Sequence, residues 1–363
     1  MTHRPTVLTV VGARPQFVKA APLSRALRRR FREVLVHTGQ HYDREMSESF
    51  FEDLDIPPPD RHLGVGSGSH GAMTGRMLAL LETAMMEVRP DLVVVIGDTN
   101  STLAGALAAA KLGLPVAHVE AGLRSYDNRM PEEINRRLTD HVSALLLCPT
   151  SAAVSNLQRE GITRGVHHVG DVMKDAVVQN LERARRRPRP PGVPPPGEYY
   201  LATVHRQENV DDRGRLRDIV AGLEALPAPV VWPVHPRARR RMQSWRLRPG
   251  GAVRLLPPAG YLDMLLLEDG ARAVLTDSGG VQKEAFLLGR PCITLRETTE
   301  WVETVAAGAN RLVGSDPVRI RRAVARVERD GTVRAAYTAD EYGAGHASEK
   351  IASVLARFLG RRR

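Results

Sequence analysis

Lysine is scarce in a strongly basic chain: only five of its 52 basic residues are lysine, at positions 19, 111, 174, 283 and 350. The rest are arginine, a bias that reflects a GC-rich genome more than a binding strategy. Aromatic residues are scarce too, at 4%, so stacking platforms for single-stranded nucleic acid are few. The arginine clusters at 28–30, 185–187, 239–241 and 361–363 are scattered along the chain. No nucleic-acid partner is therefore expected, and the net charge of +11 suits attraction of a small polyanion instead. Cysteine occurs twice, as Cys148 in SALLLCPT and Cys292 in GRPCITL. Both close apolar runs, so buried free thiols and a cytoplasmic location are expected. There is no CxxC and no HExxH, and His167-His168 has a strand-like context, so no metal is expected. Long apolar runs are also missing. None approaches the roughly 20 residues needed to span a bilayer, and the apolar start before Gly12 is too short for a signal peptide. A soluble protein with no membrane partner follows.

What the chain does contain is short apolar runs separated by helical patterns. At 363 residues, about two domains of ordinary size are expected. TVLTVV (6–11), EVLVH (33–37), DLVVVIGD (91–98), PVAHVE (115–120) and ALLLCPT (144–150) read as strands. Their uninterrupted apolar character suggests parallel strands covered on both faces. Residues 15–30, 71–88 and 102–113 carry helical periodicity between them. Repeated βα units of this kind predict a doubly wound α/β domain. The stretch RRRPRPPGVPPPG (185–197) then holds six prolines and two glycines, a connector or exposed loop. Beyond it the pattern restarts with strands at 199–204, 229–234, 252–257, 273–277 and 291–295, and the last residues, 347–363, read as an amphipathic helix. Two similar α/β lobes are expected to leave a cleft between them, faced by the carboxyl ends of their strands.

Several stretches combine chemistry with that placement. TDSGGVQKEAFLLGRP (276–291) is a strand, a Ser-Gly-Gly turn and a helix. Glycine permits close backbone approach of a ligand, and the free N–H groups of a helix's first turn point at an anion. Ser278, Gly279 and Gly280 read either as a phosphate cradle or as a plain capped turn, and Glu284 along the same helix could reach a ribose hydroxyl. GARPQFVK (12–19) follows the first strand in the same way; Arg14 and Lys19 straddle a helix start, where cations are disfavoured unless a bound anion compensates. Asp98 and Glu120 lie 22 residues apart, the length of one strand-helix-strand unit, so both stand at ends of consecutive strands. Glu132 opens the next helix after Pro131, where dipole complementarity alone would account for one acid. Three acids on one rim are expected to repel and raise one another's pKa, an arrangement suited to proton transfer. In the second lobe His205 and Arg206 follow a strand end, and His235 in PVHPR repeats the placement; beside a phosphate cradle on the same lobe, His205 is a candidate acid or phosphate contact.

Taken in order, GARPQFVKAAPL, TGQHYD, GDTNSTLAGALAA, HVEAGLRSYDNRMPEEINRRLTDH, HVGDVMKDA, HRQENVD, PVHPR and TDSGGVQKEAFLLGRPCITLRETTE resemble the non-hydrolysing UDP-N-acetylglucosamine 2-epimerases along nearly the whole chain. The resemblance implies two Rossmann-like lobes of the glycosyltransferase-B type, with the terminal helix crossing back to the first lobe. The expected boundaries are 1–171 with 346–363 for the sugar-handling lobe and 172–345 for the UDP-binding lobe. It implies conversion of UDP-GlcNAc to UDP-ManNAc without NAD, metal or other cofactor, through elimination of UDP to 2-acetamidoglucal, in a cytoplasmic homodimer. Carried over by motif, Asp98, Glu120, Glu132 and His205 are catalytic. Arg14, Ser278, Gly279, Gly280 and Glu284 match nucleotide positions; Lys19, Gln40, His41, Arg206 and His235 are further substrate-binding candidates. Departures are visible. Ala13 and Gln16 stand where the family has Thr and Glu, and Trp301 and Val302 replace an Arg-Pro pair. Tyr342-Gly343-Ala344-Gly345 replaces Tyr-Gly-Asp-Gly, and Asp43 takes the place of a second glutamine associated with activation by a second substrate molecule. The short SYDNRMPEE connection also occurs in relatives acting on modified UDP-sugars such as diacetamido uronic acids. A glycosyltransferase of the same fold, a hydrolysing epimerase and a non-catalytic UDP-sugar or nucleic-acid binder are the competing readings.

Overall fold

The computed structural model describes residues 4–40, 54, 56–330 and 342–361, with backbone alone at residues 14 and 15. The chain falls into two compact units, Met1–Gln179 with Asp340–Arg363, and Asn180–Ala339. Among the described residues the first unit holds a seven-stranded parallel sheet. Its strands are β1 (Thr6–Val11), β2 (Arg32–His37), β3 (Arg61–His62), β4 (Leu92–Ile96), β5 (Val116–Val119), β6 (Leu145–Cys148) and β7 (Val166–His168), in the order β3-β2-β1-β4-β5-β6-β7. β1, β4, β5 and β6 are buried throughout, which is why their sequences do not alternate. The helices are α1 (Arg14–Arg30), α2 (His70–Val88), α3 (Asn100–Lys111), α4 (Pro131–Val142), α5 (Ser151–Arg159) and α6 (Val172–Arg185).

Local sequence explains the elements that carry the site. In α1, Pro15 tolerates the first turn, and Arg28, Arg29 and Arg30 in the last turn complement the dipole. α3 starts on a reciprocal threonine cap: Thr102 N donates to Thr99 Oγ1 at 3.3 Å, and Thr99 N donates to Thr102 Oγ1 at 3.1 Å. Its small residues let it sit hard against the sheet. A β-carbon on Gly105 would already lie 3.1 Å from Val95 and 3.2 Å from Val10.

The terminal helix, Ala347–Gly360, belongs to the first unit. Its first amides are received by a buried carboxylate: Ala347 N donates to Asp175 Oδ1 at 3.0 Å and Ser348 N to Oδ2 at 2.7 Å. Arg29 reaches Glu349 at 2.5 Å from α1. The same contacts explain why the units divide after Gln179, inside α6, and not at residue 171. The first turns of α6 are tied to the returning chain through Asp175 and through Asp171 N, which donates to Tyr342 O at 3.1 Å.

The second unit holds a six-stranded parallel sheet among the described residues. It comprises β8 (Tyr200–Thr203), β9 (Val230–Pro233), β10 (Val253–Leu256), β11 (Val274–Thr276), β12 (Cys292–Thr294) and β13 (Asn310–Leu312), in the order β10-β9-β8-β11-β12-β13. Around it lie α7 (Gln207–Val210), α8 (Arg213–Glu224), α9 (Pro236–Ser244), α10 (Tyr261–Gly270), α11 (Gly279–Leu287), α12 (Val302–Ala306) and α13 (Pro317–Asp330). Trp232 and Tyr200 are fully buried at the centre of its core. The proline-rich connector is anchored by Val193, which packs with Tyr199, Leu201 and Leu267. Cys148 and Cys292 are free and buried, and burial pushes the Cys292 thiol up to about 12. No helix among the described residues is long and apolar enough to cross a membrane.

In both sheets the chain builds outward from one strand and then jumps to its other side. The reversal lies between β1 and β4 in the first unit and between β8 and β11 in the second. Open α/β sheets bind ligands beside the strand carboxyl ends at such switch points. The candidate residues fall there: Gly12 and Arg14 after β1, Asp98 after β4, His205 and Arg206 after β8, and Ser278 after β11.

Candidate active site

At the switch point of the first unit, the turn after β1 is packed without slack. A β-carbon on Gly12 would lie 2.0 Å from Thr38 Oγ1 and 2.1 Å from Ser101 Oγ, so only glycine fits. Gln16 closes the turn. Its Oε1 accepts from Gly12 N at 2.8 Å and Ala13 N at 2.9 Å, while its Nε2 donates to Ile96 O at 2.8 Å and Thr102 Oγ1 at 3.1 Å. A glutamate could not donate to the Ile96 carbonyl, so the amide is matched to its surroundings. Gln40 is held against the start of α3, its Oε1 accepting from Ser101 N at 3.1 Å and Ser101 Oγ at 2.8 Å. Arg14 is the first residue of α1. His41 lies outside the described residues.

Two of the three predicted acids come together here, each with its own cation. Glu120 pairs with Lys19, both nearly buried. Asp98 Oδ2 receives Arg136 Nη2 at 2.5 Å. The expected cluster of mutually repelling carboxylates is therefore corrected to ion pairs, because α1 and α4 each send one cation to the rim. A β-carbon on Gly97 would stand 3.7 Å from Lys19 Nζ and 3.8 Å from Glu120 Oε2, which places Lys19 and Glu120 together against the turn that carries Asp98. Burial alone would lower the Lys19 ammonium. Glu120, with Asp98 and Asp171 adding to its field, more than offsets this and holds Lys19 above the ordinary lysine range. Glu120 also adopts φ of +72°, a left-handed conformation that costs a non-glycine residue on the order of 1–3 kcal/mol. Such strain persists where surrounding contacts over-determine it. Glu132 is half-buried in the first turn of α4, one turn before Arg136.

The contacts that fix these groups were not apparent from sequence. Glu133 is fully buried and accepts from Ser125 N at 2.9 Å, Ser125 Oγ at 2.9 Å, Tyr126 N at 3.2 Å and Arg136 Nη1 at 2.6 Å. It ties the loop after Glu120 to the arginine that holds Asp98. Asn135 Nδ2 donates to Asp98 O at 2.9 Å. His118 on β5, two residues before Glu120, is also fully buried. Its Nε2 meets Gly97 O and its Nδ1 meets Asp140 Oδ1, both at 2.7 Å. Asp140 Oδ2 accepts from Gly122 N at 3.1 Å and Arg124 Nη1 at 2.7 Å, and Arg124 continues to Glu160. Burial would raise the Asp140 carboxyl, but His118 and then Arg124 prevail and hold it below the usual carboxylate range. One buried network thus supports the backbone on either side of Asp98 and Glu120.

The switch point of the second unit is built around another buried carboxylate. Asp277 accepts from His205 N at 3.0 Å, Arg206 N at 3.0 Å and Asn209 Nδ2 at 3.0 Å, and thereby shapes the turn after β8. His205 Nδ1 lies 3.6 Å from Asp277 Oδ1, and its side chain stays 39% exposed. Its ring sits 5.8 Å from that of His235, which caps α9 by accepting from Arg237 N at 3.2 Å. Ser278 caps α11 loosely, with Val281 N donating to Oγ at 3.5 Å. Gly279 packs close to the Glu300 and Trp301 side chains. A β-carbon there would lie 2.3 Å from Glu300 Oε1, and Gly279 O accepts from Trp301 Nε1 at 2.9 Å. Where an arginine was expected, Trp301 carries the Lys283 ammonium 3.4 Å above its ring. Gly280 and Glu284 follow on α11, the latter buried. Among the described residues no cluster of three His, Cys, Asp or Glu side chains forms a metal site.

Comparison with known proteins places this geometry. The profile of a family described as UDP-N-acetylglucosamine 2-epimerase matches residues 25–356. A UDP-N-acetylglucosamine 2-epimerase homolog of Methanococcus maripaludis is 48% identical over 356 residues, 96% of this chain and 99% of that protein. A UDP-2,3-diacetamido-2,3-dideoxy-D-glucuronate 2-epimerase of Pseudomonas aeruginosa is 49% identical over 360 residues, 97% of this chain and 99% of that one. A crystal structure of Methanocaldococcus jannaschii UDP-GlcNAc 2-epimerase in complex with UDP-GlcNAc and UDP superposes with a TM-score of 0.91 at 42% identity, covering 97% of this chain and 99% of that one. The calicheamicin glycosyltransferase CalG4 shares the fold alone, with a TM-score of 0.54 at 17% identity. The architecture is the two-lobed glycosyltransferase-B type, and the terminal helix returns to the first lobe.

Proposed function

The chain belongs to the UDP-N-acetylglucosamine 2-epimerase family, and from that premise we propose that it interconverts UDP-GlcNAc and UDP-ManNAc by eliminating and re-adding UDP. The observation that carries this reading is the strained Glu120, paired with Lys19 beside Asp98 at a strand switch point. A sugar C2 hydrogen is not adjacent to a carbonyl and is barely acidic. It becomes removable only as the C1–O bond breaks and C1 gains positive charge. The electron pair of that bond leaves with UDP, a carboxylate takes the C2 proton, and the C–H pair closes the C1–C2 double bond of 2-acetamidoglucal. Re-addition of UDP with protonation on the opposite face of C2 gives the epimer. No electrons are gained or lost, so the route needs no hydride acceptor.

The roles divide by chemistry. Asp98, Glu120 and Glu132 handle the proton at C2, with Lys19 and Arg136 orienting the first two. Arg14, His205, Arg206 and the first turn of α11 from Ser278 to Gly280 stabilise departing UDP. Glu284 receives the ribose hydroxyls, and Gln40, His41 and His235 complete the substrate contacts. The proposal includes a cytoplasmic homodimer. A second substrate, a UDP-diacetamido uronic acid, is favoured by the 49% identity to the Pseudomonas aeruginosa protein of that name.

Incubation with each nucleotide sugar in deuterated water, followed by proton NMR, tests both readings. UDP-GlcNAc is expected to yield both epimers deuterated at C2, without an acceptor and without free ManNAc. UDP-GlcNAc recovered unlabelled alongside labelled diacetamido uronic acid would assign the second substrate. Acceptor-dependent UDP release would make the protein a glycosyltransferase.

A further inference from the structure

Helix α10 buries a carboxyl group that the site described above does not use. Tyr261, Leu265 and Glu268 recur at intervals of four and three, so they share one face of the helix, and all three are buried. Glu268 is 0% exposed. Neither of its oxygens receives a hydrogen bond from an amide, hydroxyl or cation among the described residues. The group within hydrogen-bonding reach is a second carboxyl, that of Glu284 on α11. Tyr261, buried on the same face, lies close enough to Glu284 to sense its charge. Cys292 on β12 and Tyr199 ahead of β8 also sense Glu268, and neither brings a positive charge.

Two carboxyl groups in contact cannot both stay ionised in such surroundings. Burial first, and then Glu284, push Glu268 well above the usual carboxylate range. Stability alone gives no reason for an acid here, since an apolar side chain of similar volume would fill the space without desolvating a polar group.

We propose that Glu268 is the protonated member of this pair, and that its O–H donates to Glu284 and fixes that carboxylate toward the ribose of a bound UDP-sugar. That donor on its buried side holds the Glu284 carboxylate in one orientation. Glu268 is then a positioning residue, and its role rests on the assignment of Glu284 to the ribose.

Difference infrared spectroscopy on the whole protein reads the proton directly. A protonated-carboxyl band that shifts in deuterated water is expected in the wild type and absent in Glu268→Gln. Calorimetry with UDP reads the positioning. Glu268→Leu is expected to weaken UDP about tenfold, the loss of one hydrogen bond to a charged group, and to raise KM with little change in kcat. Glu268→Gln keeps a donor and is expected to bind within about twofold of wild type by the same measure. Wild-type affinity should decline on the alkaline side as Glu268 ionises, whereas that of Glu268→Gln should stay level. A carboxyl band that persists in Glu268→Gln, or a Gln variant as weak as Leu, overturns the proposal. If Glu284→Ala leaves UDP affinity intact, the ribose assignment fails and the positioning role with it, while the infrared result still reports on the proton separately.

Discussion

Asp140 in the first unit and Glu268 in the second are both carboxyl groups withdrawn from water, one at 1% and the other at 0% exposure. Burial pushes each upward, yet they end on opposite sides of the ordinary range. Asp140 faces His118, Arg124 and the Gly122 amide, and is held down. Glu268 faces Glu284 and is driven up. Depth of burial does not decide the charge of a buried acid; the neighbours supplied by adjacent elements do. The same contrast separates the two switch points. The first sets acids against cations and suits proton movement, whereas the second sets backbone amides, histidines and a glycine turn where an anion would be held.

Substitutions can break this contrast, beginning with the most damaging. Asp140→Ala should strand His118 and Arg124 without their shared acceptor and cost about 3–5 kcal/mol in urea unfolding; a loss below about 1 kcal/mol would mean that the network is not holding the first unit together. Asp277→Ala removes the acceptor of His205 N, Arg206 N and Asn209 Nδ2. It should cost about 2–3 kcal/mol and weaken UDP binding in the same preparation. Unchanged UDP affinity would detach the His205 turn from the nucleotide. Gly12→Ala drives a β-carbon onto Thr38 and Ser101 and should cost about 1–3 kcal/mol in thermal unfolding.

The smallest effect is a matter of pH, and its sign differs between the two acids. The folded Asp140 lies below its unfolded value near 3.8, so its contribution is present above that pH and disappears as pH falls through the folded value. Glu268 is raised above its unfolded value near 4.5, so the folded state is favoured below that pH and loses this advantage as pH climbs toward the folded value. Glu268→Leu should therefore gain stability relative to wild type on going from pH 5 to pH 9, by about 1 kcal/mol or more. A constant difference between the two proteins across that interval would show that Glu268 is ionised throughout.

Most of the parallel strands were legible as short apolar runs between helical patterns, and the terminal helix because its apolar residues recur on one face, whereas β3 (Arg61–His62) and β13 (Asn310–Leu312) are too short and polar to show such a run. Asp98 and Glu120 were legible for a local reason: they stand where such runs stop. Their partners were not. Arg136 lies 38 residues beyond Asp98, and Lys19 lies 101 residues before Glu120. No periodicity announces a pair across that distance, so the sequence suggested three carboxylates in mutual repulsion where the fold provides two ion pairs. Gly279 shows the reverse limitation. Its Ser-Gly-Gly context suggested ligand approach, but a β-carbon there would also press on the Glu300 carboxylate. Glu268 sits in an otherwise apolar helical stretch, and only the position of α11 reveals that it meets another acid.

The division between the two units is tested most directly by measuring C2 deuterium exchange and UDP affinity together in Glu120→Gln. The account predicts that exchange into the UDP-sugar falls by at least about a hundredfold, the usual scale of a lost general acid or base, while UDP binds as in the wild type. Exchange that survives the substitution, or that falls only in step with UDP affinity, would contradict it.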